Sequence, residues 1–397
     1  MRKEISIIIP SYNRYPQNLL TLYSLQNQTY DPDKFEVIFI DDCSSDKTPI
    51  IQHTFQPPFS FNYIRNEENL GRSKSRNLGI NEATGRIIIF LDAEMIVEPD
   101  FVQNHANHHD TESNKVVSGA LFLKRVYTIS NKLFTKQQRL HMDYLLKMNR
   151  KIFKIKRSQI RRGYPEVQFI TKEDILNGHY KLLSYDSPYF QDVKNHYGAE
   201  LNGHHLPWIL FISGIVSVPK QLLLKSGGFD ESFVGWGFED WELGYRLYQN
   251  GAEFISASDV TGYHQEHPIS VIDIDQSMFE NYLRYQRKHP NYETCIHTLF
   301  LMGEITRVEE SIIVGEYKSL LCEHPDRFNQ FKEGYLALLQ QCAVLLSENK
   351  AIEDLWIGMD LKDPTSLKEL IRSERDEVAS LNQYPQLIRS MNILLEK

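Results

Sequence analysis

The sequence predicts a doubly wound α/β fold, in which helices flank a mostly parallel central sheet, followed by a helical carboxyl-terminal appendage. Over the first hundred residues, short apolar runs alternate with helical patterns. These runs are mainly apolar rather than apolar at every second position, which is typical of parallel strands buried on both faces. From about residue 270 helical periodicity dominates to the end of the chain, which predicts the appendage.

The predicted elements of the sheet domain follow one another in a regular order. A largely β-branched run closed by Pro10 predicts the first strand, and Gly85 ends the pattern of the second helix. We predict strands at residues 5–9, 35–40, 62–65, 87–91 and 211–218, and helices at residues 18–28 and 73–83.

Three of these strands end in polar residues. The endings are Pro10-Ser11, Asp41-Asp42 and Asp92-Ala93-Glu94. Ligands of such sheets bind beyond the carboxyl ends of the strands, so we expect the three endings to lie on one rim. Acids gathered there are costly unless a cation is present, so the rim predicts a metal-bound anionic ligand.

Two of these endings and the segment 69–77 each leave two interpretations open when taken alone. Asp92 and Glu94 either ligate Mg²⁺ or Mn²⁺ or form a solvated turn. Asp41 and Asp42 either cap a helix or accept hydrogen bonds from a uracil N–H or a ribose hydroxyl. The segment 69–77, NLGRSKSRN, is consistent with an anion site at a helix start or with an ordinary capped helix.

The composition narrows the class of protein. A net charge of −8 argues against general attraction to nucleic acid or to an anionic membrane. No apolar run approaches the roughly 18 residues that would span a bilayer, and the run near the amino terminus is too short for a signal peptide. The four cysteines show no CxxC pairing and no metal-ligand spacing, which favours a reduced setting. We therefore expect a cytoplasmic location, which includes the inner face of the membrane.

One basic segment departs from the acidic balance of the chain. Residues 147–162 hold eight Lys or Arg in sixteen residues. This run is either the solvated face of an amphipathic helix or a contact surface for an acceptor substrate or a membrane. It lies within residues 124–206, whose pattern is less regular than that of the predicted strands.

Residues 271–397 are predicted to form a separate helical appendage for docking or oligomerisation, because their apolar residues recur with helical spacing. The predicted core positions are Leu320, Leu321, Leu336, Leu338, Leu339, Val344 and Leu345.

The ordered motifs resemble a known family. IIIPSYNR, FIDDCSSD, NLGRSKSRNLG and IFLDAEM resemble the motifs of family 2 glycosyltransferases with a GT-A, Rossmann-like fold. GGFDESFVGWGFEDWELGYRLYQNG, followed by TGYHQEHP, is similar to the carboxyl half of galactosyl- and N-acetylhexosaminyl-transferase catalytic domains. The chain resembles the N-acetylgalactosamine-transferring module of bacterial chondroitin-polymerase-like enzymes. This resemblance implies a catalytic domain at residues 1–270, with 124–206 as an acceptor-side insertion.

The resemblance also implies roles for individual residues. Asp240 would be the catalytic base, and Glu239 would orient the acceptor or donor sugar. Glu94 and His264 would bind the metal, and Asp92 would hold the ribose or the metal and its water. The residues implied to contact the nucleotide-sugar are the pocket-lining Pro10, Ser11, Tyr12 and Asn13, the uracil-facing Asp41 and Asp42, and Arg76, Asp92 and Trp236.

The chemistry of sugar transfer gives independent reasons for some of these roles. Inverting transfer to a hydroxyl needs a base beside the attacking oxygen, a cation for the departing diphosphate and a surface that holds the sugar in line. Asp240 fits the base, and Trp236 offers a flat apolar face. The spacing of Glu239, Glu242 and Arg246 predicts a helix that begins near Glu239, where its dipole favours acids.

Two residues depart from the family pattern. Glu94 stands where the family usually has Asp, and Phe238 stands where many relatives have Gly. We expect Glu94 to shift the metal site and Phe238 to reshape the pocket around the donor sugar or the acceptor.

The histidines are divided between ligand and structural roles. Neutral imidazole suits Mn²⁺ better than Mg²⁺, which favours His264 as a ligand. His267, three residues later, is expected to be structural. His105, His108 and His109 are expected on a surface helix without a metal.

The expected function is inverting transfer of a hexose or N-acetylhexosamine from a UDP-sugar to a saccharide, dependent on Mn²⁺ or Mg²⁺, in surface glycan or capsule assembly. Two alternatives stay open: a peptide or protein acceptor, and a catalytically silent GT-A domain that binds a sugar nucleotide. A pyrophosphorylase is disfavoured because PSYNRYPQN is not a Gly-rich basic phosphate loop. The expected partners include no nucleic acid, at most a peripheral membrane contact, and a second copy of the chain bound through the carboxyl-terminal helices.

Overall fold

The computed structural model describes residues 3–109, 114–268, 271–353, 355–356 and 364–397, with the backbone alone for 271–275 and 364–365. The chain divides into two compact units. The first unit comprises Met1–Gln191, Trp208–Val234 and Asp240–Val271, and the second comprises Asp192–Pro207, Gly235–Glu239 and Ile272–Lys397. Residue 270, at the predicted domain boundary, lies outside the described residues.

The strands found among the described residues all lie in the first unit. They are β1 (Ile5–Ser11), β2 (Phe35–Asp41), β3 (Ser60–Arg65), β4 (Ile87–Leu91), β5 (Met95–Val97), β6 (Lys115–Ser118), β7 (Lys124–Val126), β8 (Ile129–Asn131), β9 (Glu166–Gln168), β10 (Ser184–Asp186), β11 (Ile215–Pro219), β12 (Glu253–Ser256) and β13 (Gly262–Gln265).

The helices are divided between the two units. They are α1 (Gln17–Gln26), α2 (Ile51–Thr54), α3 (Arg72–Glu82), α4 (Phe101–His108), α5 (Lys136–Met148), α6 (Lys154–Arg161), α7 (Lys172–Leu176), α8 (Gln191–Tyr197), α9 (Lys220–Lys225), α10 (Glu239–Gln249), α11 (Val271–Lys288), α12 (Tyr292–Cys295), α13 (His297–Leu301), α14 (Arg307–Glu323), α15 (Asn329–Ser347), α16 (Pro364–Ser380) and α17 (Pro385–Glu396). No helix in the described part of the chain combines the length and the apolar character needed to cross a bilayer.

The main sheet confirms the predicted α/β class. Across the described residues it has seven strands in the order β12-β6-β11-β4-β1-β2-β3. β1 pairs in parallel with β2 and β4, and β2 pairs in parallel with β3. β11 is antiparallel to both β4 and β6, so the sheet is mixed but mostly parallel.

Both faces of the main sheet are covered, which explains the continuous apolar runs. Successive residues of a strand point to opposite faces. Ile7 and Ile9 of β1 belong to one buried cluster, and Ile8 belongs to a second cluster with Phe90 of β4. Most positions of such a strand are therefore apolar, and the buried Ser6 of β1 is satisfied by donating to Glu36 of β2 at 2.6 Å.

The last predicted strand of this sheet starts later than expected. β11 begins at Ile215, whereas the apolar pattern predicted a strand from residue 211. Trp208 lies in a short 3₁₀ turn and Phe211 follows it, and both side chains are fully buried. A short apolar run indicates burial, but it does not by itself distinguish a strand from a buried turn.

Residues 124–206 contain more regular structure than their sequence pattern indicated. They hold β7 to β10 and α5 to α8, and many of their side chains pack into a third buried cluster, including Tyr127, Phe134, Leu146 and Phe169. The strands have only three residues each, which is too short to give a recognisable alternation.

A second, smaller sheet contains β5, which follows β4 in the sequence. Its described strands follow the order β10-β7-β13-β5. β13 is antiparallel to β5 and parallel to β7, so that His264 is opposite Met95 on one side and Arg125 on the other. This sheet brings residues 94–97 next to residues 262–265, which are distant in sequence.

The second unit is helical in its described part, as the periodicity predicted. Leu320, Leu338 and Leu339 are fully buried. The other predicted core positions are half-buried, namely Leu321, Leu336, Val344 and Leu345.

The expectation that the clustered histidines lie on a surface helix was wrong for two of them. His105 on α4 and His109 just after it are buried. Their ring nitrogens each lie 2.7 Å from the hydroxyl oxygen of Ser217. His108 points away and contacts Asp259 at 2.9 Å.

Candidate functional site

The polar strand endings lie on one rim, as predicted. Ser11 at the end of β1 is in register with Asp41 at the end of β2, and β4 is parallel to β1 on its other side. The backbone N–H of Asp42 donates to the carbonyl of Ser11 at 2.9 Å, which continues the pairing beyond the strands. Asp92 follows β4 directly.

The Asp41 carboxylate is buried and already has partners within the protein. One oxygen accepts from the backbone N–H of Ser44 at 2.8 Å. The other accepts from the Tyr63 hydroxyl at 2.6 Å and from the guanidinium of Arg65. Burial, followed by the hydrogen bond to the Asp41 carboxylate, raises the pKa of Tyr63. The contacts of Asp41 fix the loop that follows β2.

The Asp42 carboxylate fixes the loop that leads into α3. It accepts from the Asn66 side chain at 2.7 Å and from the backbone N–H groups of Leu70 and Gly71 at 2.8 and 2.9 Å. Gly71 has a φ of +84°, in the left-handed region that favours glycine. Asp42 thus shapes the NLGRSKSRN loop rather than capping a helix of its own.

The segment after β1 is tied to the segment after β2. The side-chain oxygen of Asn13 accepts from the backbone N–H of Ser45 at 2.8 Å, and the Asn13 N–H donates to Ser44 at 3.0 Å. Pro10 is half-buried and Ser11 is buried, whereas Tyr12 is 49% exposed. In this segment Tyr12 and Asn13 are therefore the exposed residues that a ligand can reach.

Arg76 connects α3 to the end of β4. Its side chain is almost fully buried, and one guanidinium nitrogen lies 3.3 Å from the Asp92 carboxylate. The guanidinium also lies over the Phe229 ring, 5.2 Å from its centre. The sequence placed both residues at the ligand, and the structure brings them together as a partly accessible ion pair.

Glu94, His264 and His267 form a cluster suited to a metal ion. One ligand atom from each side chain can be chosen so that all three lie within 4.8 Å of one another. Glu94 precedes β5 directly, His264 lies in β13 and His267 follows that strand. The backbone also connects them, since the Gln265 N–H donates to the Glu94 carbonyl at 2.8 Å.

The protonation states of this cluster suit cation binding. Burial lowers the pKa of His264 to about 4, so its imidazole is neutral near pH 7. Burial tends to raise the pKa of Glu94, but the charge of Arg14 and the contact with His267 outweigh it and leave the carboxylate ionised. The cluster therefore offers one anionic oxygen and neutral imidazole nitrogen to a ligand.

One buried nitrogen atom of the cluster indicates whether a divalent metal fits there. The Nδ1 atom of His264 is buried and has no hydrogen-bond partner among the described residues. A buried polar atom without a partner is costly, and a metal ion is one way to satisfy it. Carboxylate and imidazole ligands together suit a first-row divalent metal better than Mg²⁺, which prefers oxygen.

Two residues that contact Glu94 were not predicted to do so: His267, a member of the cluster, and Arg14, which lies beside it. His267 was assigned a structural role, although its Nε2 atom lies 3.5 Å from Glu94. Arg14, whose Nε atom lies 3.3 Å from the same carboxylate, was part of a quoted motif but received no role. The signal for His267 was its spacing of three residues from His264, which becomes meaningful once β13 is known to end at Gln265.

A buried polar network supports the turn that carries His267. The Glu266 carboxylate accepts from Tyr185 at 2.7 Å, Gln138 at 2.8 Å and Arg125 at 3.0 Å. The Gln138 side chain also donates to the His267 carbonyl at 3.3 Å. These contacts connect the histidine turn to α5, β7 and β10.

Asp240 and Glu239 occupy the start of α10, as the charge spacing predicted. Asp240 is half-buried, and its carboxylate accepts from the backbone N–H of Trp241 at 2.9 Å. Glu242 is buried and pairs with Arg246 at 2.6 Å, the predicted i, i+4 contact. Acids in the first turn of a helix are stabilised by the helix dipole, which favours Glu239 and Asp240 at this position.

A tight turn in the second unit leads into α10. Gly235, Gly237 and Phe238 all have positive φ, with +65° at Phe238. Trp236 between them is 42% exposed. The buried Glu239 side chain accepts from the Gly237 N–H at 3.1 Å, which closes the turn.

The surroundings of Phe238 give a physical reason for a phenylalanine where many relatives have glycine. Its backbone adopts the left-handed conformation for which glycine is best suited. Its ring is 8% exposed and packs on Tyr282, with ring centres 4.9 Å apart, and on Tyr285. The side chain is therefore part of an aromatic core of the second unit.

Comparisons with known proteins agree with the motifs. Residues 6–174 match the family model described as "Glycosyl transferase family 2". Residues 194–268 match the model described as "N-terminal domain of galactosyltransferase". The chain is 34% identical over 275 residues to the uncharacterized glycosyltransferase YfnE of Bacillus subtilis (strain 168), an alignment that covers 68% of this chain and 67% of YfnE.

Two further relatives have named activities. Validoxylamine A glucosyltransferase of Streptomyces hygroscopicus subsp. limoneus is 29% identical over 294 residues, covering 72% of this chain and 57% of the relative. Chondroitin synthase of Escherichia coli is 29% identical over 282 residues, covering 70% of this chain and 37% of the relative. The matched part is therefore little more than half of one of these relatives and about a third of the other.

The protein belongs to glycosyl transferase family 2, and it is a glycosyltransferase. The resemblance to chondroitin-polymerase-like enzymes, drawn from the motifs, is confirmed.

Proposed function

We propose that the protein transfers a hexose or an N-acetylhexosamine from a UDP-sugar to a saccharide acceptor, with inversion and with the help of Mn²⁺, in the assembly of a surface glycan or capsule. The observation that carries this proposal is the cluster of Glu94, His264 and His267, which begins three residues beyond the end of β4. The names of the relatives, which include a chondroitin synthase and a glucosyltransferase, support sugar transfer to a hydroxyl.

We propose that Glu94, His264 and His267 bind the metal. Asp92 lies two residues before Glu94 in the sequence. A bound divalent cation would neutralise the negative charge that develops on the departing diphosphate. The orphaned Nδ1 atom of His264 and the ionised Glu94 support this assignment. Mn²⁺ is favoured over Mg²⁺ because two of the three ligands are imidazoles.

The nucleotide is proposed to bind at the rim of the main sheet. Tyr12 is the exposed aromatic residue of this rim, and Asp41 and Asp42 hold the two loops beside it. Arg76 lies next to Asp92, where a basic group and an acid can contact the diphosphate and the ribose. Pro10, Ser11 and Asn13 complete the proposed pocket.

Asp240 is proposed to be the catalytic base. Its carboxylate would accept the proton of the acceptor hydroxyl as the new C–O bond forms and the bond from the anomeric carbon to the phosphate oxygen breaks. Attack from the face opposite the leaving group gives inversion. A positioned base of this kind contributes roughly 10²- to 10⁴-fold to the rate. Glu239 and the exposed Trp236 are proposed to contact the sugars.

The test is a UDP-release assay on the full chain with a panel of UDP-hexoses and UDP-N-acetylhexosamines. Each donor is measured with Mn²⁺, with Mg²⁺ and with EDTA, with and without chondroitin-type oligosaccharides, and the anomeric configuration of any product is read by NMR. We expect one donor to give Mn²⁺-dependent release that rises with acceptor and yields the inverted linkage. Equal release in EDTA, or a retained configuration, would contradict the proposal.

A further inference from the structure

The first unit carries an unusual outward surface on α5 and α6. The side chains of Leu140, Tyr144 and Met148 on α5 are 65%, 57% and 68% exposed. Ile152 and Ile155, which follow them, are 55% and 74% exposed. Monomeric soluble proteins rarely expose large apolar residues in such numbers within one short segment unless the surface has a partner.

The exposed residues of α5 form a row of their own. Residues four apart on a helix are about 40° apart around its axis, so Leu140, Tyr144 and Met148 share one side. Met142 and Leu146, which pack into the buried cluster of this region, lie about 160° from Tyr144. The helix thus has one apolar face in the core and a second apolar face turned to solvent.

The charge around this row is strongly positive. Residues 132–162 contain eleven Lys or Arg and one acid, Asp143, in a chain whose net charge is −8. Lys136 and Lys147 lie within about 40° of Leu140 on the helix surface. On and around α6, Arg150, Lys151 and Lys154 are exposed, and no residue of α6 is buried.

We propose that this surface, formed by α5, α6 and the residues between them, docks the protein on an anionic lipid bilayer. Exposed apolar side chains flanked by Lys and Arg are the features that bind a helix into the headgroup region of such a membrane. Nucleic acid would also attract the charges, but a phosphate backbone gives no role to aliphatic residues such as Met148 and Ile155. The proposal does not depend on the proposed sugar substrates.

The surface is connected to the metal cluster by α5 itself. Gln138, in the first turn of α5, donates to Glu266 and to the carbonyl of His267. A bilayer that binds the outer face of α5 would therefore hold the histidine turn at a fixed position relative to the lipid surface. This arrangement suits an acceptor that is presented from a membrane.

The experiment is co-sedimentation of the full chain with vesicles of phosphatidylcholine alone or with about a third phosphatidylglycerol. Two double variants test the surface: Lys151→Glu with Lys154→Glu, and Met148→Ser with Ile155→Ser. Matched controls on α9 are Lys225→Glu and Leu224→Ser, which change an exposed lysine and a leucine that is 55% exposed. Circular dichroism and UDP release with a soluble acceptor report whether each variant is intact.

We expect the wild type to bind the anionic vesicles and to be released by salt. The lysine double variant should lose roughly tenfold or more in apparent affinity. The apolar double variant should also bind more weakly, and the α9 variants should match the wild type. Equal binding to both vesicle types, absence of binding at low salt, or unchanged binding by both double variants would overturn the proposal. Tighter binding to an RNA oligonucleotide, lost in the same variants, would assign the surface to nucleic acid instead.

Discussion

The Nε2 atom of His267 lies 3.5 Å from the Oε1 atom of Glu94, although the two residues are far apart in the sequence. β13 brings them together because it pairs with β5 directly after Glu94. Arg14 contacts the same carboxylate oxygen from the segment after β1, at 3.3 Å. A single carboxylate therefore lies between an imidazole and a guanidinium.

The first prediction concerns the competition between Arg14 and a metal for Glu94. Arg14→Gln removes a positive charge from beside the carboxylate, and like charges repel strongly at such distances. We expect Mn²⁺ to bind several-fold more tightly in the absence of nucleotide. Electron paramagnetic resonance of free Mn²⁺ measures this directly. Weaker binding by the variant would mean that Arg14 instead positions Glu94 for the metal.

The second prediction concerns the base. Asp240→Asn keeps the size of the side chain but removes its ability to accept the acceptor proton, so transfer should fall by about 10²-fold or more. UDP affinity, measured by calorimetry, should stay within about twofold, because the base contacts the acceptor. Glu253→Gln, at an exposed carboxylate of β12, is the matched control. Transfer at the wild-type rate by the Asp240 variant would remove this residue from the mechanism.

The third prediction concerns the left-handed backbone at Phe238. Loss of a buried phenylalanine costs about 3–5 kcal/mol, whereas release of a left-handed non-glycine residue returns about 1–2 kcal/mol. Phe238→Gly should therefore be less stable than the wild type, and Phe238→Ala should be less stable again by about 1 kcal/mol. Differential scanning calorimetry of the three proteins gives the order. An alanine variant at least as stable as the glycine variant would be incompatible with the positive φ.

The fourth prediction concerns acid sensitivity. Burial, with smaller effects of the neighbouring His109 and His108, lowers the pKa of His105 well below its usual range. The folded state keeps this imidazole neutral, while the unfolded chain takes up a proton below about pH 6.5. Stability contributed by the neutral ring is thus complete above that pH and is lost as the pH falls.

The test compares the melting temperature at pH 7.5 and pH 5.5 in His105→Asn, in the exposed-site control His53→Asn and in the wild type. The asparagine variant at residue 105 keeps a polar amide near Ser217. It should lose less stability on acidification than the wild type. If the melting temperature of this variant falls between pH 7.5 and pH 5.5 by as much as that of the wild type, His105 is not the titrating group.

Much of the main sheet could be predicted from the sequence, for a clear reason. β1, β2 and β4 are buried on both faces, so their residues are mainly apolar on both faces, and their polar endings fall on one rim. The start of α10 was predictable too, because Glu239, Glu242 and Arg246 follow helical spacing. These are local patterns that one segment carries by itself.

The small sheet and the candidate metal cluster beside it could be predicted only in part. β5, β7 and β13 have three or four residues each, and their pairing depends on partners far away in sequence. His264 was identified from a motif, whereas His267 needs the end of β13 and the network around Glu266 to bring it to Glu94. The exposed apolar face of α5 could not be predicted from the sequence either, because the sequence does not show which side of the helix packs against the core.

The most direct test of the account is Mn²⁺ binding by the full chain in the presence of UDP, for the wild type, His267→Ala and the exposed-site control His53→Ala. Free Mn²⁺ is measured by electron paramagnetic resonance, and UDP release is measured on the same samples. We predict that the His267 variant loses about tenfold or more in Mn²⁺ affinity, as removal of one ligand should, with a parallel fall in metal-dependent UDP release, while the control is unchanged. Wild-type Mn²⁺ affinity in the His267 variant would contradict the assignment of this cluster as the metal site.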